Sequence, residues 1–226
     1  SVPIIKDIIR AYRIPILEVA GYEADDVIGT LATEAGKQGI KTYMMTPDKD
    51  YGQLVTDNVF MYRPKYGDKE FEVMGVEEIK AKFDIQSPAQ VIDMLGLMGD
   101  SADNIPGCPG VGEKTAQKLI AQFGSIENLL AHTNELKGAI KTKVESNKEK
   151  IEFSKFLATI KVDVPITLNM EELSRKEPDE DELRRLFEEL EFRTLIDRVL
   201  KTNKTTASPT PQVSQPDLFG FFADNG

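Results

Sequence analysis

The chain has 226 residues, of which 28 are Lys or Arg and 38 are Asp or Glu, so its formal net charge is −10. It contains one Cys and one His, which are too few for a Cys/His zinc site or for a disulfide framework. His132 is interpreted as a solvated helix residue, so any chemistry at neutral pH falls to carboxylates working with hard metal ions.

The beginning of the chain carries no signal peptide, because charged residues interrupt its apolar positions. No apolar run approaches the roughly 20 residues of a membrane span. A cytoplasmic protein without membrane partners is therefore expected. Because the chain opens on a helical pattern rather than on Met, Ser1 is expected to be a cut within a larger protein.

The first part of the chain alternates predicted helices and strands, which is typical of an α/β fold with a parallel sheet. Apolar spacing predicts a helix from Val2 to Tyr12 and another from Glu23 to Gly36. The predicted strands are Ile16–Val19, Lys41–Met45, Val59–Tyr62 and Phe71–Val73.

From about Gly75 onward the pattern is almost entirely helical. The predicted helices lie near 76–83, 91–98, 113–123, 126–131, 141–160 and 180–190. Residues 201–226 are rich in Thr, Ser, Pro and Asn without periodicity and indicate a flexible tail. The predicted organisation is an α/β core over 1–99, a helical region over 100–200 and a tail over 201–226.

Acidic side chains concentrate in three short segments, GYEADD, TPDKD and GDSADN. The candidate ligands are Glu23, Asp25, Asp26, Asp48, Asp50, Asp100 and Asp103. Taken singly, each segment fits an ordinary helix cap or solvated turn. Taken together, two of the three segments follow predicted strands, at the edge where α/β sheets bind ligands. If the seven carboxylates cluster there, their mutual repulsion would be costly without bound cations. Oxygen ligands favour Mg²⁺ or Mn²⁺, and two such ions would suit a phosphodiester substrate.

A glycine-rich turn precedes the predicted helix at 113–123. Gly107, Gly110 and Gly112 allow close backbone approach, and the start of the helix offers free N–H groups for an anion. Lys114, Thr115 and Lys118 lie in position to contact the same anion. The pattern fits a helix-hairpin-helix that grips the DNA backbone without reading sequence, although a plain corner between two helices would look similar. A P-loop is excluded, because the required spacing is absent.

Three motifs, GYEADDVIGTLA, TPDKDYGQLV and GLMGDSADNIPGCPGVGEKTAQKLI, closely resemble the 5′ nuclease, or flap endonuclease, domains of bacterial DNA polymerases I. The resemblance covers about residues 1–200 and includes the order and spacing of the motifs. It implies a PIN-like α/β core followed by a helix-hairpin-helix region. It also implies two-metal hydrolysis of branched duplex DNA near a 5′ end, in replication and repair, by a bacterial, nucleoid-associated protein.

The resemblance further implies roles for the acidic residues. Glu23, Asp25 and Asp26 would serve mainly one metal ion, while Asp48, Asp50 and Asp103 would serve the other and Asp100 would act through water. The turn from Gly110 to Gly112 would hold a K⁺ ion against the DNA. Polymerase domains of the same polypeptide are the implied partners.

The sequence departs from the family pattern at its beginning. The family normally starts with a strand carrying a metal-binding Asp, followed by a second such Asp and a basic helical arch, and none of these is present. The first strand of the sheet is therefore expected to be missing. We expect the 226-residue chain to bind DNA through the hairpin turn and to cleave it weakly or not at all.

The tail contains SQPDLFGFF, which resembles the short motif that docks bacterial replication proteins on the sliding clamp. Gln215 would make the polar contact, and Leu218 and Phe219 would anchor the segment in an apolar pocket. A linker whose aromatic end packs on a neighbouring domain is the alternative.

Two other functions remain open at this point. A DNA-binding module without catalysis would use the glycine-rich turn and leave the acids idle. An unrelated Mg²⁺-dependent phosphohydrolase acting on small esters would use the acids and leave the turn unexplained.

Overall fold

The computed structural model describes residues 2–64 and 71–200. Within these ranges the strands are β1 (Thr42–Met45), β2 (Val59–Pro64) and β3 (Phe71–Met74). The α-helices are α1 (Val2–Ala11), α2 (Ala24–Lys37), α3 (Val76–Phe83), α4 (Val91–Met98), α5 (Glu113–Phe123), α6 (Ile126–Ala131), α7 (Gly138–Ser146), α8 (Lys148–Ala158), α9 (Glu180–Glu189) and α10 (Arg193–Leu195). Short 3₁₀ helices occupy Lys49–Leu54, Pro88–Gln90 and Thr133–Glu135, and a π-turn spans Ile196–Leu200. The predicted α/β class is confirmed.

The chain divides into two compact units. The larger one is Leu17–Met170, and the smaller one combines Ser1–Ile16 with Glu171–Gly226. In the smaller unit, α1 packs against α9, and their apolar faces meet in a separate small core. The buried residues of that core are Ala11, Leu183, Leu186, Phe187 and Leu200.

The sheet of the larger unit has the order β1-β2-β3. β1 pairs with β2 in parallel, as predicted, with Thr42 opposite Val59. β3 pairs with β2 in the antiparallel sense, with Met61 opposite Met74, so an antiparallel edge strand is added to the predicted parallel pairing. The physical reason is the length of the connection. Six residues separate Pro64 from Phe71, which suits a hairpin but is too short for the crossover that parallel strands require.

Helix α4 is the centre of the larger core. Val91, Met94, Leu95 and Leu97 have no solvent-accessible surface, and the helix packs along α8. The two helices approach closely at Gly96, where an added Cβ would lie 3.1 Å from the Lys155 Cα atom. Because α4 ends at Met98, this packing fixes the start of the loop that carries Asp100 and Asp103.

One buried carboxylate ties three helices together. The side chain of Asp93 on α4, which is 6% exposed, accepts a hydrogen bond from the Ile126 backbone N–H at 2.9 Å. It also accepts one at 2.6 Å from the Lys155 ammonium of α8. The ammonium in turn contacts Glu127 at 2.8 Å. A charge this deeply buried is stable only when it is paired and hydrogen-bonded, so the network fixes the register of α4, α6 and α8.

Two predicted elements differ from the structure. Ile16–Val19 forms no strand, and the sheet of the described residues consists of β1, β2 and β3; a β-favourable run becomes a strand only where it pairs with a neighbouring one. The helix predicted over 141–160 is broken at Asn147, whose side-chain amide donates to the Lys143 carbonyl at 2.8 Å and so ends α7. The other helices lie close to their predicted bounds.

His132 is exposed at the C-terminal end of α6, and its Nδ1 lies 2.9 Å from the Asn128 carbonyl, in keeping with a solvated helix residue. Among the described helices, none combines the length and the apolar character needed to cross a lipid bilayer.

Candidate metal centre

Three of the seven predicted acidic ligands converge in the larger unit. Asp50, Asp100 and Asp103 each present a carboxylate oxygen, and these three oxygens lie within 4.8 Å of one another. Within residues 2–64 and 71–200, this is the one group of acidic, His or Cys side chains with the spacing of a metal site. The sequence separation of up to 53 positions is closed by the fold rather than by a local motif.

Asp50 is positioned by the turn that follows β1. Asp48 caps the 3₁₀ helix Lys49–Leu54, and its Oδ1 accepts a hydrogen bond from the Asp50 N–H at 2.9 Å. The hydroxyl of Thr46 accepts the Asp48 N–H at 3.1 Å. The two aspartates therefore have different roles. Asp48 stabilises an exposed turn, whereas the side chain of Asp50 points into the protein and is 14% exposed.

Asp100 and Asp103 lie on a tight loop that follows α4. The backbone groups of Asp100 and Ile105 exchange two hydrogen bonds of 2.9 and 2.8 Å, which close the loop as a short antiparallel bridge. The Asp100 Oδ1 atom accepts the Ala102 N–H at 2.9 Å. Asp103 is exposed at the loop tip.

The base of this loop depends on glycine. Gly107 has φ +61°, and an added Cβ would lie 2.4 Å from the Gly99 backbone nitrogen. The Gly107 N–H donates to the buried Ser154 hydroxyl of α8 at 2.9 Å, and that hydroxyl donates to the Lys150 carbonyl at 2.7 Å. The backbones at Gly99 and Gly107 thus meet beside α8 without room for a side chain between them. This close packing holds the acidic loop in one position.

The acids experience strongly different environments. Burial, followed by the charge of Asp48, raises the pKa of Asp50 to about 6. The ion pair with Lys49 holds the pKa of Asp100 below its ordinary value, although burial opposes this effect. Burial, with the charges of Asp25 and Asp48, raises the pKa of Tyr51 to about 12. Negative charge therefore accumulates around the 3₁₀ helix, which is the condition under which a cation binds favourably.

The donor set fits a hard divalent cation. The Asp50 Oδ1 atom is buried, and no hydrogen-bond donor reaches it from the described residues. A buried carboxylate oxygen without a hydrogen-bond donor is costly, even with the Lys49 ammonium 3.8 Å away, so the site is suited to a positive ion. All the candidate ligands are carboxylate oxygens, which match Mg²⁺ or Mn²⁺ better than a soft metal.

Apart from Asp48, which caps the 3₁₀ helix Lys49–Leu54, the predicted acidic ligands outside this group lie at the start of α2. Glu23 is the exposed N-cap residue, and its side chain makes no capping hydrogen bond. The Asp25 Oδ1 atom accepts the Asp26 N–H at 2.9 Å, and Asp26 Oδ1 accepts the Lys161 N–H at 2.8 Å. The structure places these acids at the N-terminus of a helix rather than after a strand. Asp26 is also part of the contact between α2 and the chain that follows α8.

The glycine-rich turn lies between the acidic loop and α5. Gly112 is the N-cap of α5 and provides no side-chain cap for the first N–H groups of the helix, although the Thr115 N–H donates to the Gly112 carbonyl at 3.0 Å. Lys114 and Lys118 are exposed, and Thr115 is half-buried in the first turn. Gly110 is exposed, and the Lys143 ammonium of α7 donates to its carbonyl at 3.0 Å.

Lys143 is a candidate residue that the sequence does not reveal, because it is separated from Gly110 by 33 positions. The high density of lysines on α7 and at the start of α8 is the signal that could have suggested it. The predicted clamp-binding residues Gln215, Leu218 and Phe219 lie outside the described residues.

Comparison with known proteins adds to this geometry. Residues 1–84 match the model of the 5′-3′ exonuclease N-terminal resolvase-like domain, and residues 86–181 match that of the 5′-3′ exonuclease C-terminal SAM fold. A 5′-3′ exonuclease of Aquifex aeolicus is 37% identical over 219 residues, which cover 97% of this chain and 71% of that protein. The chain belongs to the 5′-3′ exonuclease family.

DNA polymerase I of Bacillus subtilis is 43% identical over 200 residues, or 88% of this chain and 23% of that protein. DNA polymerase I of Bacillus caldotenax is 37% identical over 213 residues, or 94% of this chain. The chain thus spans about a quarter of the length of these polymerase relatives.

Two solved structures share the fold. The catalytic core of Rad2 in complex with DNA substrate aligns with a TM-score of 0.60 at 17% identity and covers 89% of this chain and 66% of that one. A T5 5′-exonuclease with bound divalent metal ions, described as zinc, aligns with a TM-score of 0.57 at 20% identity and covers 79% and 62%. The predicted PIN-like core with a helical C-terminal region is confirmed.

Proposed function

We propose that the chain is the metal-dependent 5′ nuclease part of a DNA polymerase I, hydrolysing phosphodiester bonds of branched or flapped duplex DNA in replication and repair. The observation that carries this proposal is the convergence of Asp50, Asp100 and Asp103 around a buried carboxylate oxygen without a donor. Membership of the 5′-3′ exonuclease family supports the reaction class.

In this proposal Mg²⁺ or Mn²⁺ is the cofactor, as two ions. Asp50, Asp100 and Asp103 hold one of them, with Asp48 shaping the turn beside them. Glu23, Asp25 and Asp26 at the start of α2 serve the second. When bound, the ions supply charge compensation and Lewis acidity for a phosphodiester. The residues of the chain hold the ions in place and fix the acidic loop through the Ser154 hydroxyl.

The glycine-rich turn is the proposed grip on the DNA backbone. The start of α5, which has no side-chain cap, suits a phosphate together with the exposed Lys114 and Lys118 and the half-buried Thr115. Gly110 and Gly112 are exposed and keep the turn free of side chains that would hold a backbone away, whereas the predicted DNA-binding residue Gly107 is buried against the Gly99 backbone and supports the turn from within. The Lys143 ammonium, bonded to the Gly110 carbonyl, adds positive charge to the turn that would also hold a K⁺ ion against the DNA. Such contacts give affinity without sequence preference.

The proposal is tested with a 5′-flapped duplex and the 226-residue chain in excess over DNA, so that slow cleavage is detected. Cleavage is expected with Mg²⁺ and not with EDTA, and it should be lost in Asp103→Asn. Asp57→Asn is the matched control, because Asp57 is an exposed acid in the turn before β2. DNA binding in Mg²⁺ without any cleavage would favour the non-catalytic module, and cleavage unaffected by Asp103→Asn would refute the site.

Partners and location follow from the same proposal. The chain would act beside the polymerase domains of one polypeptide and on DNA of the bacterial nucleoid. The division near residue 99 between an acidic core and a helical DNA-binding region remains part of the proposal. Docking of the tail on the sliding clamp is tested by titrating a 208–226 peptide against the clamp, and absence of binding at high micromolar concentration would reject it.

A further inference from the structure

A lysine lies within the acidic cluster. Lys49 is the first residue of the 3₁₀ helix that carries Asp50, and its ammonium forms an ion pair with the Asp100 Oδ2 atom. The same ammonium lies 3.8 Å from Asp50 Oδ1, the buried oxygen that lacks a hydrogen-bond donor in the described residues. Lys49 is thus the neighbour of two candidate metal ligands at once.

Lys49 is surrounded by carboxylates, as expected for a counter-ion. Burial alone would lower its pKa, but the hydrogen bond to Asp100 and the charges of Asp50, Asp100 and Asp103 together raise it above its ordinary value. The ammonium is therefore firmly charged. Its side chain is 35% exposed, whereas that of Asp100 is 8% exposed, so the ammonium is the more open of the two groups to solvent.

The oxygens of Asp100 are already engaged. Oδ1 accepts the Ala102 N–H at 2.9 Å, and Oδ2 is held by Lys49. A divalent cation that approaches Asp50, Asp100 and Asp103 would meet the positive charge of Lys49 within a few ångströms. Two cations at this separation repel strongly, and the acids cannot hold both in the arrangement seen.

We propose that Lys49 is a built-in counter-ion that holds the acidic cluster together in the metal-free chain and leaves Asp100 when a divalent cation binds. The inference rests on the proposed metal site and deepens it. Lys49 is a positioning residue in this account, because it acts through Asp50 and Asp100. Its charge competes with the metal and also keeps the three carboxylates gathered before the metal arrives.

The first test measures metal affinity by calorimetric titration of Mn²⁺ into the full chain. Lys49→Met removes the competing charge and should bind Mn²⁺ at least about tenfold more tightly, since a unit charge a few ångströms away has at least that effect near a protein surface. Lys49→Arg keeps the charge and should stay close to the parent. Lys41→Met is the matched control, because Lys41 lies over the rings of Tyr43 and Phe60. Equal or weaker affinity in Lys49→Met would overturn the proposal.

The second test needs no variant and therefore does not depend on how one folds. Reductive methylation of the unaltered chain, read by mass spectrometry at Lys49, should be slow without metal and faster with saturating Mg²⁺, because the ammonium is released to solvent. Methylation of Lys41 should not change. Slower or unchanged labelling of Lys49 with Mg²⁺ would overturn the proposal.

The two tests also separate this inference from the proposed function. If neither the parent chain nor Lys49→Met binds Mn²⁺, the metal site itself fails and the inference fails with it. If the parent binds Mn²⁺ and Asp50→Asn abolishes binding, the site stands. In that case an unchanged affinity in Lys49→Met refutes the role of Lys49 alone.

Discussion

Replacing Gly107 by Ala is the sharpest perturbation of the loop that holds Asp100 and Asp103. The new Cβ would lie 2.4 Å from the Gly99 nitrogen and 2.7 Å from the Gly99 Cα atom. Both are backbone atoms, so no flexible side chain can move aside. The φ of +61° adds a second cost, because a Cβ is disfavoured in the left-handed region.

The two costs can be estimated separately. The left-handed conformation costs roughly 1–2 kcal/mol for a residue with a Cβ. Overlap in a packed region typically costs a further 1–3 kcal/mol or more. We expect Gly107→Ala to lower the free energy of unfolding by about 2–5 kcal/mol. At about 2–4 °C per kcal/mol for a chain of this size, its melting temperature should fall by roughly 4–20 °C.

Gly124→Ala separates the conformational cost from the overlap. Gly124 has φ +79°, and no atom lies within 4 Å of its added Cβ, so the substitution should cost only about 1–2 kcal/mol. Urea unfolding followed by circular dichroism measures both variants. A calorimetric Mn²⁺ titration should show weaker binding in Gly107→Ala alone. Equal destabilisation of the two variants would refute the close approach at Gly99.

Three further predictions concern charge and access. Lys155→Met leaves the Asp93 carboxylate buried without its cation and should cost about 3–5 kcal/mol in urea unfolding, whereas Lys161→Met, which removes an exposed pair, should cost less than about 1 kcal/mol. Cys108 is 2% exposed and burial raises the pKa of its thiol, so a thiol reagent should react at least ~100-fold more slowly with the native chain than in urea; fast native labelling would contradict its burial. Lys143→Met should lower affinity for duplex DNA and reduce the slope of log affinity against log salt by about 1, and Lys37→Met should not.

The helical region could be predicted closely because its signals are local. The apolar spacing of α5 and the Gly, Ser and Pro residues around α4 and α6 determine those helices without reference to the rest of the chain. The strands β1, β2 and β3 were also located from short apolar runs. Their directions could not be read in the same way, because pairing depends on the connections and on which neighbours are available.

The candidate site was predictable in its residue types and less so in its grouping. The sequence indicates three acidic segments, but only the fold brings Asp50 beside Asp100 and Asp103 while leaving Asp26 bonded to the Lys161 backbone. Lys49 and Lys143 escaped prediction for a related reason. The role of a lysine depends on the group that its ammonium contacts. Lys49 contacts Asp100, which is 51 positions away in the sequence, and Lys143 contacts the Gly110 carbonyl, which is 33 positions away.

The most direct measurement of the central claim is the anomalous diffraction of Mn²⁺ in crystals of the 226-residue chain. We expect a strong peak within bonding distance of carboxylate oxygens from Asp50, Asp100 and Asp103, with the Lys49 ammonium no longer on Asp100. No peak at these three residues at saturating Mn²⁺, or a peak held by other acids alone, would contradict it.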